Sequence, residues 1–162
     1  MFVDYKILPD SARVWIYQSD REFTEEEVIQ ISQKAVEFIN GWTRHGDSLK
    51  GSFTVKYNQF IVIGLDESFN NASGCSIDAS VRFIQELEQV LKVDLMDKMN
   101  VSFKDGDNIN IVKLPDFQRF AELKKITSET IVFNNMVNTK SDFENKWEVP
   151  AKDSWHSRFL AQ

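Results

Sequence analysis

Cysteine is nearly absent: Cys75 is the only one in 162 residues. A single thiol closes no intrachain disulfide, so the fold does not depend on an oxidising compartment. Histidine is almost as scarce. His45 and His156 stand alone, and neither shares a metal-ligand spacing with Cys75, so no metal and no cofactor is implied. Three prolines and six glycines form no linker that would divide the chain, and no low-complexity stretch does so either. No apolar run approaches the ~18 residues of a membrane span. Met1 to Lys6 has neither the basic start nor the apolar core of a signal peptide. The expectation is therefore a cytoplasmic protein, with the sequons at Asn71 and Asn100 read as chance matches. Positive charge is also short. A formal charge of −6 opposes non-specific binding to nucleic acid or to an anionic membrane.

Apolar material is plentiful. Thirteen Phe and four Trp, within a hydrophobic fraction of 42%, suffice for a core in a chain of this length. Arg13 to Gln18 is β-branched and aromatic and reads as a first strand. Thr24 and Glu27 form a capping box, flanked by the hydrophobic-staple pair Phe23 and Val28. Val28, Ile31, Ala35, Phe38, Ile39 and Trp42 then recur at helical spacing, with Asn40-Gly41 weakening the end. Phe53, Val55 and Tyr57 alternate as a half-wet strand, and Phe60 to Leu65 is continuously apolar, as a strand buried on both faces requires.

A second helix carries Ile77, Val81, Ile84, Leu87 and Leu91 on one face, with Ser76 or Asp78 as its N-cap. A hairpin around Asp105 to Asn108 follows, then a helix opened by Pro115, then a strand at Thr130 to Phe133. A capping box at Ser141 and Glu144 starts an aromatic tail bearing Trp147, Trp155 and Phe159. Hairpins imply antiparallel pairing. The expected class is α+β: a single domain over 1–162, with a largely antiparallel or mixed sheet of about six strands, three main helices on it, and 140–162 docked as a tail.

Candidate chemistry centres on Ser73-Gly74-Cys75-Ser76-Ile77-Asp78. A thiol at a helix N-terminus sits near unpaired N–H groups and the positive end of the dipole, both of which favour thiolate. A nucleophilic thiol needs a base, and His45 and His156 are the two candidates, with Asp66 or Glu67 to orient one of them. Against this stands the commoner fate of a free cysteine, a small apolar side chain packed under a loop. Ser73, Ser76, Asp78, Glu67, Trp42 and Trp155 are the accompanying binding candidates.

Gly41 to Ser48 imitates a phosphate-binding loop, but Asp47 occupies the place of the phosphate-contacting lysine. The context is inverted too, since this segment leaves a helix and enters a strand. It reads as a helix-to-strand turn, and ATP hydrolysis is not expected.

Several phrases together resemble an uncharacterised family of bacterial proteins. They are Trp15 to Ser19, Trp42 with His45-Gly46, Asp66-Glu67, Ser73 to Asp78, Val132-Phe133-Asn134-Asn135 and Ser154-Trp155-His156. Members often carry the label "ABC transporter ATPase", which conflicts with the missing Walker lysine. The resemblance implies kinship and no particular chemistry. Two function classes follow from the residues. One is a domain binding a small molecule or a protein through a cleft near the Cys75 loop. The other is a cysteine-dependent hydrolase or acyltransferase using Cys75 with His45 or His156.

Overall fold

The computed structural model describes residues 1–160. Its elements are β1 (Arg13–Gln18), α1 (Glu25–Asn40), β2 (Thr43–Arg44), β3 (Asp47–Ser48), β4 (Gly51–Lys56), β5 (Phe60–Leu65) and α2 (Gly74–Leu91). Then follow β6 (Asn100–Asp105), β7 (Asn108–Lys113), α3 (Leu114–Glu122), β8 (Ile131–Phe133), α4 (Lys140–Lys146) and β9 (Glu148–Pro150), with 3₁₀ turns at Tyr5–Ile7, Ala151–Asp153 and Trp155–Phe159. The class is α+β and the strand ladders are antiparallel. In place of one sheet of about six strands there are three, ordered β1-β5-β4, β2-β3 and β7-β6-β8-β9. The described residues form two compact units, 1–96 with 138–141, and 97–137 with 142–160.

In the first unit β5 is the central strand and is buried along its whole length, as its unbroken apolar run demands. Ile61, Ile63 and Leu65 share a cluster with Ile31, Ala35 and Ile39 of α1 and Ile84, Leu87 and Leu91 of α2. On the opposite face, a Cβ at Gly64 would come within 2.6 Å of Leu8 Cδ1, so any larger residue there would force the Leu8 side chain to shift. α1 begins as its sequence dictates, with the Thr24 hydroxyl accepting from Glu27 N–H and the Glu27 carboxylate accepting from Thr24 N–H. It ends at Asn40, two residues before Trp42, with Gly41 as C-cap.

Both edges of this sheet are covered at one end, which shortens the row of free N–H and C=O groups that would invite another strand. Val3 N–H donates to Gly51 O and Gly51 N–H to Met1 O on the β4 side. On the β1 side Val14 N–H donates to Asn138 O, and Lys140 N–H to Ala12 O. The Lys140 ammonium is buried and donates to the carbonyls of Leu8 (2.7 Å), Tyr5 (3.1 Å) and Lys6 (3.4 Å). Three carbonyls at the end of a 3₁₀ turn replace the water that a charged group requires. Lys140→Met keeps the length and removes the donors, so it is expected to cost about 2 kcal/mol of stability. Urea denaturation checks the loss, and hydrogen exchange should show residues 5–8 opening first.

In the second unit Val101, Phe117, Ala121, Ile126, Val132 and Ala151 form the buried cluster, with Trp155 and Phe159 packed against it. Pro115 lies in the first turn of α3, as expected. The segment after 140 is more than a docked tail, because β9 completes a sheet edge beside β8. α4 starts at Lys140, so Ser141 lies inside its first turn rather than at the expected N-cap.

Candidate functional site

The N-cap of α2 is Ser73, not Ser76 or Asp78. The Ser73 hydroxyl accepts from Ser76 N–H (3.2 Å), while the Ser76 hydroxyl lies 2.6 Å from the Ser73 N–H that donates to it. Serine at N3 thus plays the part that Glu or Gln takes in a longer capping box. Cys75 consequently sits inside the first turn of α2, at its second helical position, and is exposed. It is therefore not the packed small hydrophobe of the plain reading. Asp78 is exposed one turn further on.

Ile84, Leu87 and Leu91 of the expected α2 stripe are buried, but the first turns of the buried face are rotated from the one the sequence suggests. Ser76 and Ser80 are buried, at 2% and 1% exposure, while Ile77 and Val81 are only half-buried. Small side chains allow close approach and polar ones find partners there. Trp42 Nε1 donates to Ser76 O at 2.8 Å. Tyr17 and Ser80 are joined by a side-chain hydrogen bond, and burial pushes the Tyr17 phenol pKa upward against it. Trp42 is itself buried, 5.3 Å from Phe38 and 6.1 Å from Trp15 between ring centroids. It is core, not an exposed binding residue.

The remaining candidates have structural partners. Asp66 is buried at the end of β5, accepting from Ser68 N–H (3.0 Å) and from the Ser68 hydroxyl, which turns the chain as an Asx turn does. Lys50 Nζ lies 3.9 Å from its other oxygen. Glu67 lies 4.0 Å from Arg13. His45, with φ 51°, and Gly46, with φ 84°, form the tip of the two-residue β2–β3 hairpin. Two left-handed residues in succession make a type I′ turn. Gly41 to Ser48 is thus a helix cap followed by a small hairpin, and it has no strand-to-helix phosphate cradle.

His156 belongs to the second unit and is fully buried. Its ring stacks on Trp155 at 3.8 Å and lies 5.3 Å from Phe117, with Nδ1 2.8 Å from the Ser154 hydroxyl. Nε2 is buried without a hydrogen-bond partner among the described residues. Burial, and secondarily Arg158, lower its pKa to about 4. The Ser154-Trp155-His156 phrase builds core, and Trp155 is half-exposed beneath the Arg158 guanidinium at 5.6 Å.

An open groove lies between α1 and α2, with a volume of about 680 Å³. Its floor is the parallel stack of Phe38 on Phe83, with centroids 4.6 Å apart and planes inclined by 3°. Lys34 and Glu37 on one side, and Arg82 and Glu86 on the other, are among its lining residues. The two helices run antiparallel. Trp42 joins the end of α1 to the start of α2, while Arg21, just before α1, donates to Leu91 O. Cys75, Ala79, Arg82 and Glu86 fall at i, i+4, i+7 and i+11, hence on one helix face, so the thiol lies one turn beyond the Ala79 end of the groove. The sequence reading missed this surface. Its signal was Phe83, an aromatic standing outside the expected α2 stripe. A second depression, at the end of α2, is lined by Asp20, Glu88 and Asp94 among others, and these already bond backbone N–H groups or one another's segments.

Among the described residues no cluster of three or more His, Cys, Asp or Glu could hold a metal ion, and no helix is long and apolar enough to cross a membrane. No protein-family profile, curated protein or solved structure matches the chain.

Proposed function

We propose that this chain is a protein-binding domain whose recognition surface is the α1–α2 groove, and that it is not a nucleotide hydrolase. The observation that carries this reading is the aromatic stack at the base of the groove, half-buried Phe38 on buried Phe83, set between charged side chains of both signs. Such a surface suits an amphipathic helix that seats one apolar side chain on the stack and sets Glu against Lys34 or Arg82 and Lys against Glu37 or Glu86. The twelve residues from Ala79 to Val90 span roughly 17 Å at 1.5 Å per residue, enough for about three turns of a partner. The hydrolase reading draws less support. One of its bases, His156, is enclosed in aromatic core, and the other, His45, sits on an exposed hairpin tip.

A panel of fluorescent amphipathic helical peptides, each with a central Phe or Leu and Lys and Glu placed one turn to either side, tests the proposal by anisotropy. Saturable binding is expected, weakened about tenfold or more by Arg82→Glu and recovered when the facing Glu of the peptide is changed to Lys. Cys75→Ser should leave affinity unchanged. Absence of binding across the panel, or affinity indifferent to both Arg82→Glu and Glu37→Lys, would count against it.

A further inference from the structure

The charged walls of the α1–α2 groove are nearly symmetric, but its two ends are not. Because the helices run antiparallel, levels along the groove can be counted from the Phe38–Phe83 stack at about 1.5 Å per residue. Glu37 and Arg82 then lie level across the groove beside the stack. Lys34 and Glu86 lie level with each other about 5 Å further toward Val90. Each level offers one charge of either sign, with the signs exchanged between the walls. A bound helix turned end for end therefore meets the same pattern, so charge does not orient it. Shape does.

At one end Gly41 and Ala79 lie level with each other, about one turn from the stack. On the other side of the stack, about two turns away, stands Val90, which is 48% exposed. Glycine at 41 answers no need of the fold. Its φ of −98° and ψ of 3° are open to other residues. A Cβ there would meet only the carbonyls of Glu37 and Phe38, each at 3.8 Å. The space over Gly41 and Ala79 thus opens into the groove. Its surroundings are aromatic and fixed in place. The half-buried Phe38 ring lies 5.3 Å from that of Trp42, and Trp42 Nε1 ties the end of α1 to Ser76 O in the first turn of α2.

Resting on the reading of the groove as a helix-binding surface, we propose that the Gly41–Ala79 notch seats a large aromatic side chain of the partner helix. Two small residues leave room for a ring, and Phe38 offers it an offset or edge-on contact. The partner carries this anchor three or four residues from the side chain seated on the stack, so that both fall on one face. Val90 restricts the opposite end to a small side chain. The aromatic anchor therefore sets the direction in which the partner lies.

Two helical peptides test the anchor by anisotropy. Both place Leu on the stack and Glu and Lys against the walls, and they differ only in Trp or Ala at the notch position. The Trp peptide should bind about tenfold or more tightly than the Ala peptide. Ala79→Leu fills the notch and should erase that difference. Gly41→Leu serves as the second variant should circular dichroism show Ala79→Leu to be misfolded. Cys75 reads the placement directly, because it is exposed one turn beyond Ala79 on the same helix face. In a glutathione redox buffer, a peptide cysteine one turn beyond the Trp should form a disulfide with Cys75, and one at the opposite end of the peptide should not. Trp and Ala peptides that bind equally, both still weakened by Arg82→Glu, overturn the anchor and leave the groove reading standing. Cross-linking as efficient from the opposite end also overturns the anchor. Absence of binding by either peptide overturns both readings.

Discussion

Trp42→Ala should remove about 3–5 kcal/mol of stability, and Trp42→Phe about 1 kcal/mol. The indole is 2% exposed and packs in the cluster that joins α1, α2 and the β1-β5-β4 sheet. Its Nε1 donates to the Ser76 carbonyl in the first turn of α2. Alanine deletes both the packing and the donor and leaves a cavity whose walls are the backbone of Gly51 and the rings of Phe38 and Trp15. Phenylalanine retains most of the buried area and loses the hydrogen bond, so the difference between the variants separates the two contributions. Guanidinium denaturation of the three proteins measures it. A Trp42→Phe loss equal to the Trp42→Ala loss would show that the hydrogen bond, and not burial, holds the start of α2.

How far the sequence could be read depended on whether a signal was local. The α1 capping box, the buried β5 run, the Asp105 to Asn108 hairpin and the Pro115 helix start are set by neighbouring residues, and each is where its pattern places it. The division of the strands into separate sheets has no local signal, because it depends on which strands pair at long range. Ile84, Leu87 and Leu91 are buried on the α2 face as read, but the first part of that face is shifted, with Ser76 and Ser80 buried in place of Ile77 and Val81. Ser76 and Ser80 are polar by composition, yet they are buried: the Ser76 hydroxyl is satisfied within the cap by Ser73, and the Ser80 hydroxyl by Ile77 O and the Tyr17 side chain.

The candidate site followed the same division. Cys75 is exposed on the first helical turn, and the cap is Ser73, three residues before the expected Ser76, so Cys75 lies inside the helix and not just outside it. Trp42, Asp66 and His156 attracted attention as rare or charged residues, and all three are committed to packing or turns. The Phe38–Phe83 floor could not be read from either helix alone, because it exists only where the two meet.

Acid should destabilise the second unit before it titrates the Glu27 carboxylate of the first. His156 is buried, with its pKa lowered from 6.5 to about 4 by burial and then by Arg158. The folded state therefore binds the proton less readily than the unfolded chain does. The stability of the neutral form is complete above the unfolded value and is lost as pH falls from 6.5 toward 4. At about 1.4 kcal/mol per pH unit, the full loss is about 3 kcal/mol, of which about 2 kcal/mol should appear between pH 7 and pH 5. Glu27 titrates elsewhere on the scale. The Arg21 guanidinium and the Thr24 N–H hold its pKa at about 2, so its stabilisation is present above its unfolded value of 4.5 and is lost as pH falls from 4.5 toward 2, mostly below the His156 window. Urea midpoints at pH 7, 6 and 5 for the natural chain and for His156→Phe separate these groups. Phenylalanine suits the cage of Phe117 and Trp155 and cannot take up a proton, so the variant should lose this part of the slope. A His156→Phe profile as steep as that of the natural chain between pH 7 and 5 would assign the acid sensitivity to other groups.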